Sequence, residues 1–105
     1  MLDAANEALS FVKGRQKDDL KKDRMLVNAL VRSIEIIGEA ASRVSPETRT
    51  RCPTIPWNQV VGMRNRLIHA YFDVDVDRVW DTISSDLPAL INELEKVTPP
   101  NLPKP

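Results

Sequence analysis

Apolar residues recur at intervals of three and four along most of this chain, the spacing of amphipathic helices and not the strict alternation of strands. Leu2, Ala5, Leu9 and Val12 predict a helix over about 2–13, and Gly14 behind it supplies a natural C-terminal stop. The clearest stripe is Val27, Leu30, Val31, Ile34, Ile37, Gly38, Ala41 and Val44. It predicts a second helix over about 19–44, long enough to be the spine of a bundle. Gly38 and Ala41 are small, so another helix can approach closely there. Ser45 reads as a cap with Pro46 at the first position of a short helical turn. Pro56 opens a third helix predicted to run to Tyr71 or Phe72. A fourth spans about 77–97, with Asp75 or Asp77 to cap it and Pro88 expected to kink or break it. Phe72 to Asp77 alternates like a strand, but no second strand is evident to pair with it, so it is read as a connection. The pattern predicts an all-α, mostly up-and-down bundle of four to five helices over 1–97, followed by a Pro-rich flexible tail over 98–105.

A chain of 105 residues is one domain with one modest core. Its fifteen basic and fifteen acidic residues cancel, which argues against a protein that coats nucleic acid through a general basic field. Any nucleic-acid contact must therefore be local. Cys52 is the only cysteine and cannot close an internal disulfide, so a cytoplasmic location is expected. No apolar run approaches the ~20 residues that span a bilayer, and no membrane association is expected. One cysteine and one histidine complete no metal site, and Gly62 stands outside any phosphate-cradling loop, so no cofactor is expected. Asp73, Asp75 and Asp77 imitate the start of a calcium loop, but Arg78 replaces its turn glycine and Ser84 its bidentate glutamate. Trp57 and Trp80 fall on helical apolar stripes and read as core or interface anchors before base-stacking platforms.

One stretch carries chemistry: Arg64-Asn65-Arg66-Leu67-Ile68-His69-Ala70-Tyr71. Histidine exchanges a proton near neutral pH, and arginine keeps its charge while its planar fork matches phosphate oxygens. That pairing suits phosphodiester cleavage, with His69 moving the proton and Arg64 stabilising charge on the phosphoryl oxygens. On a helical wheel Arg64 falls near the middle of the stripe of Trp57, Val60, Val61, Leu67, Ile68 and Tyr71, where a charge requires a partner or a wet cavity. Glu35 and Glu39 are the candidate partners, and an internal strut between Arg64 and Glu39 is the bland alternative. Asn65 shares a helix side with His69 and is placed to orient it or to touch substrate, with Arg66 as a further contact. In an unbroken helix His69 projects about 140° away from Arg64, so either the helix distorts or two subunits share the site.

The spacing resembles the R-x4-H-x-Y signature of HEPN domains, specifically the HepT-type ribonuclease toxins encoded beside a minimal nucleotidyltransferase. Asp23-Arg24-Met25-Leu26, Ile34-Glu35-Ile36-Ile37-Gly38-Glu39-Ala40-Ala41, Ile55-Pro56-Trp57, Gly62-Met63-Arg64-Asn65 and Val79-Trp80-Asp81-Thr82 also look like that family. The resemblance implies a homodimer with its motifs around an interface cleft, and a metal-independent endoribonuclease acting on RNA as the toxin of a toxin–antitoxin pair. It implies Arg64 and His69 as catalytic residues, with Asn65, Arg66 and Glu39 in support. It further implies Tyr71 as the site that a cognate nucleotidyltransferase antitoxin blocks with adenylyl groups. A non-catalytic HEPN module that binds a nucleotide or nucleic acid, or partners a nucleotidyltransferase, stays open at this point, as does a purely structural helical dimer.

Overall fold

In the computed structural model, which describes residues 1–67 and 74–97, the apolar periodicity resolves into helices, with no strand among the described residues. Helix α1 (Leu2–Phe11) buries Leu2, Ala5 and Ala8. The chain leaves it through Gly14, whose φ of 77° is the left-handed conformation that a residue without Cβ adopts freely. Next come α2 (Lys17–Lys22), α3 (Arg24–Ser42), α4 (Pro46–Arg51) and α5 (Trp57–Val61), then a 3-10 turn (Met63–Arg66). After 68–73, α6 (Val76–Asp81) runs through a π turn (Thr82–Asp86) into α7 (Leu87–Val97).

Three boundaries differ from expectation, each for a local reason. The helix predicted over about 19–44 is divided at Asp23, which adopts extended backbone with φ −120° and ψ 91°. The Asp23 carboxylate accepts from the Leu26 N–H at 3.0 Å, starting α3, while its own N–H donates to the Asp19 carbonyl at 2.9 Å, closing α2. The third helix stops at Val61, well before Tyr71 or Phe72. Gly62, a poor helix former, follows, and the chain tightens into bonds from the Asn65 N–H to the Gly62 carbonyl and from the Leu67 N–H to the Arg64 carbonyl, both 3.1 Å. At Pro88 the helix neither ends nor breaks. The missing N–H and the ring's crowding of the Ser84 carbonyl coincide with the π turn just before it. The expected caps form: Ser45 Oγ accepts from the Thr48 N–H at 3.2 Å with Pro46 opening α4, and Asp75 Oδ1 accepts from the Arg78 N–H at 3.0 Å. The tail over 98–105 lies outside the described residues.

Helix α3 is the spine. Its Leu30, Ile34, Ile37 and Ala41 are fully enclosed, as are Ala5 and Ala8 of α1, Val79 of α6, Ile83 in the π turn and Leu87 of α7. Contacts from α3 reach α1, α2, α5, the 3-10 turn and α6. Burial of this apolar surface is the main stabilising term, since each enclosed Leu or Ile contributes about 1.5–3 kcal/mol. Where α5 crosses α3, a Cβ on Gly38 would lie 3.2 Å from the Val61 carbonyl oxygen and 3.3 Å from that of Val60. The glycine is what lets the two backbones meet. Tightening at Gly62 also reassigns the apolar stripe: Val61 is 38% exposed, and Met63 is buried instead.

The end of α3 is tied to α5 through α4. Arg49 Nη2 donates to the Ala41 carbonyl at 2.9 Å and its guanidinium lies 5.9 Å from the Trp57 ring centre. Trp57 Nε1 donates to the Cys52 carbonyl at 3.1 Å, so Trp57 serves as the expected anchor. No helix among the described residues is long and apolar enough to cross a membrane.

Substituting Gly38→Val is expected to force α5 off α3 and to destabilise by about 1–3 kcal/mol, as overpacking does. In urea titration the midpoint falls. Gly38→Ala is milder, because a gain in helix propensity of about 1 kcal/mol opposes the squeeze. An unchanged midpoint in Gly38→Val contradicts the close approach.

Candidate active site

The 3-10 turn after Gly62 decides where the charged motif points. At about 120° per residue such a turn fans its side chains in three directions. Met63 goes inward, Arg64 and Asn65 line one cavity, and Arg66 lines another.

The cavity at Arg64 and Asn65 holds about 310 Å³ and is closed on its other side by α3, through Arg32, Glu35, Glu39 and Ser42, with Gly38 and Val61 at its base. Arg64 Nε lies 3.8 Å from Glu35 Oε1, and Arg32 Nη1 lies 3.6 Å from Glu35 Oε2. One carboxylate thus stands between two guanidinium groups. The Arg64 and Glu35 side chains are 44% and 35% exposed, so the pair sits in water-accessible space. The alternative of an internal strut between Arg64 and Glu39 is not the arrangement found. Glu39 pairs instead with Arg43 at 4.0 Å, at the surface, while still contributing to the cavity wall.

Of the residues singled out by sequence, the fold brings Arg64, Asn65 and Glu39 to one cavity and separates Arg66 from them. Arg66 Nη2 donates to the Gln59 carbonyl at 2.7 Å, on the other side of the turn. His69 and Tyr71 lie outside the described residues. Among the described residues, the Asp75 N–H donates to the carbonyl of the fully buried Leu67 at 2.7 Å. Arg32 and Ser42 were not legible as site residues. Arg32 is marked only by standing three residues before Glu35, on the polar flank of the α3 stripe.

Chemically, the cavity offers two guanidinium groups on a small, wetted concavity. Glu35 holds them in place and is displaceable by a better-matched anion such as a phosphoryl group.

The model of the family described as "Ribonuclease HepT-like" matches residues 1–97. A "Putative RNase" of Methanocaldococcus jannaschii is 35% identical over 97 residues, covering 92% of this chain and 89% of that protein. A second "Putative RNase", from Caldanaerobacter subterraneus subsp. tengcongensis, is 41% identical over 86 residues, covering 82% and 77%. A "Probable ribonuclease HepT" of Thermococcus cleftensis is 40% identical over 80 residues, covering 76% and 73%. No solved structure gives a significant match.

Because the Arg64–Glu35 pair is partly solvated, its worth to folding is small, about 0–1 kcal/mol. Glu35→Gln is expected to shift the unfolding free energy by less than about 1 kcal/mol in urea titration. A loss of 3 kcal/mol or more, roughly what breaking a buried pair costs, contradicts a wetted arginine and makes the Arg64–Glu35 pair a structural one.

Proposed function

Because the chain belongs to the HepT-like ribonuclease family, we propose that it is a metal-independent endoribonuclease built on Arg64 and His69, acting as the toxin of a toxin–antitoxin pair. The observation that carries this reading is the placement of Arg64: a charged group on an otherwise core-forming segment, held by a single carboxylate at the wall of a wetted cavity. Half in water, the guanidinium avoids the cost of burying a charge and stays reachable by a phosphate ligand.

In the proposed reaction the 2′-hydroxyl of RNA attacks the adjacent phosphorus. The O2′–P bond forms, the P–O5′ bond breaks, and the products end in a 2′,3′-cyclic phosphate and a 5′-hydroxyl. His69 moves the proton between the attacking and leaving oxygens, and Arg64 stabilises the charge that builds on the non-bridging oxygens. Asn65, on the same cavity, positions the strand. The 2′-hydroxyl supplies the nucleophile, so no activated water is required.

A symmetric dimer fits the same face. Ile36 of α3 and Val61 of α5 are 39% and 38% exposed, and Val61 borders the Arg64 cavity. An isologous interface covers such apolar side chains and lets two copies of the motif share one cleft. Tyr71 lies two residues beyond His69 and is the proposed adenylylation site, where a bulky anionic adduct occupies the cleft and competes with RNA phosphate for arginine.

His69→Ala and Arg64→Ala are each expected to lower RNA cleavage by ~10²–10⁴-fold with the helical circular dichroism unchanged. Wild type keeps its activity in EDTA. Full activity in His69→Ala, or activity that returns only with added divalent metal, contradicts the mechanism.

Tyr71→Phe keeps the ring and loses the acceptor oxygen. It is expected to retain at least part of the ribonuclease activity while escaping a cognate nucleotidyltransferase and ATP, which add whole adenylyl masses to wild type and silence it. An adduct mapped by mass spectrometry to another residue removes the regulatory role and leaves the nuclease assignment standing.

A further inference from the structure

At the start of α5 a recess of about 400 Å³ is lined by Arg49, Pro56, Trp57, Asn58 and Gln59. The Arg64 cavity carries Glu35 and Glu39 on its wall, whereas no carboxylate among the described residues lines this recess. Its one formal charge is Arg49, which forms no ion pair among the described residues. Part of that guanidinium is committed. Nη2 donates to the Ala41 carbonyl at 2.9 Å, and Nε is enclosed without a partner. Nη1 is neither enclosed nor bonded to a described residue, so it is the corner of the fork that a ligand reaches. The recess therefore selects an anion, but one exposed corner contributes little to holding a free phosphate in water.

Trp57 supplies a second contact. Its side chain is half-buried, its Nε1 is fixed on the Cys52 carbonyl at 3.1 Å, and the Arg49 guanidinium lies 5.9 Å from the ring centre. A platform held in place before the ligand arrives loses no side-chain freedom on binding. Indole rings and guanidinium planes are the surfaces on which unpaired bases stack, with little regard to sequence because every base has a π-face. The exposed Asn58 and Gln59 each add an amide, donor and acceptor together, of the kind that meets base edges.

The recess also adjoins the Arg64 cavity along both walls. Ala41, whose carbonyl holds Arg49, precedes Ser42 of that cavity, and Trp57 stands one turn of α5, about 6 Å, before Val61 at its base. Neighbouring phosphates of a strand are spaced by ~3.4 Å or more, so one or two nucleotides cover that step. We propose that the recess is a base-stacking subsite for the RNA strand that enters the Arg64 cavity: Trp57 and Arg49 take the base of a nucleotide flanking the cut, and Arg49 Nη1 meets its phosphate. The strand's placement rests on the nuclease reading. An acidic protein segment supplies the anion but leaves the indole without a matching plane, so the lining favours RNA.

Trp80→Phe leaves Trp57 as the one tryptophan of the chain, so its emission reports on the recess. A 2′-O-methylated, uncleavable hexaribonucleotide is expected to quench that emission, and inorganic phosphate at the same concentration is not. The same hexamer made abasic keeps its phosphates, and by fluorescence anisotropy it is expected to bind at least about fivefold more weakly, the lower end of what one base–aromatic stack contributes. Asn58→Glu, at an exposed position, sets a carboxylate beside Arg49 and is expected to raise KM for cleavable RNA at least about fivefold while kcat stays within about twofold. The abasic comparison and Asn58→Glu keep Trp80 in place, so neither depends on how Trp80→Phe folds. RNA that quenches Trp57 and is never cut leaves the subsite standing and removes the nuclease reading. Unchanged Trp57 emission at millimolar RNA, equal affinity for the abasic hexamer, a wild-type KM in Asn58→Glu, or equal quenching by hexaglutamate, which marks an acidic protein partner, overturns the subsite whether or not the chain cuts RNA.

Discussion

The candidate site depends on two backbones meeting without a side chain between them. At Gly38 the carbonyl oxygens of Val60 and Val61 sit where a Cβ would be crowded, at 3.3 and 3.2 Å. This contact seats the end of α5 against the middle of α3 and so sets the distance from the following turn to the polar flank of α3. Glu35, three residues before Gly38, and Glu39, one residue after, are carried to the cavity by that register. Arg49, Trp57 and Cys52 hold the same crossing from behind, linking the end of α3 to the start of α5 through a carbonyl hydrogen bond at each side.

The second determinant is the change of helical pitch at Gly62. Had α5 continued, Arg64 would have been carried on a stripe packed on the core, where its charge is costly. The tighter turn places Met63 inward and leaves Arg64 at the cavity wall, with Glu35 as its counter-ion and water as its other neighbour. Arg32 draws on the same carboxylate. With Glu39 on the same wall paired to Arg43, three arginines stand against two carboxylates around the cavity, which leaves local positive charge even though the chain as a whole is neutral.

Much of this was legible in the sequence where one residue type serves one purpose. The α3 stripe, the small residue at Gly38, the Ser45 and Pro46 start of α4 and the Asp75 cap each follow from periodicity or capping chemistry. The misread boundaries are places where one residue serves two purposes or where helices deform without ending. Asp23 closes one helix and caps the next, Gly62 changes helix type within an apolar run, and Pro88 is absorbed by a π turn that periodicity does not report. The motif Arg64-Asn65-Arg66 was legible as chemistry, but its division between two cavities was not, because an ideal helical wheel fixes directions that a 3-10 turn changes. The preference for Glu35 over Glu39 as partner was equally hidden, since both flank the same stripe and only the register at Gly38 chooses between them.

The central claim is that a wetted arginine and a histidine cleave RNA by using its own 2′-hydroxyl. The direct measurement is the chemistry of the cut ends, read by end-specific enzymatic treatment and mass spectrometry of RNA digested in EDTA. The account predicts a 2′,3′-cyclic phosphate on one fragment and a 5′-hydroxyl on the other. A 3′-hydroxyl paired with a 5′-phosphate would mean that water attacked from outside the strand, and would contradict it.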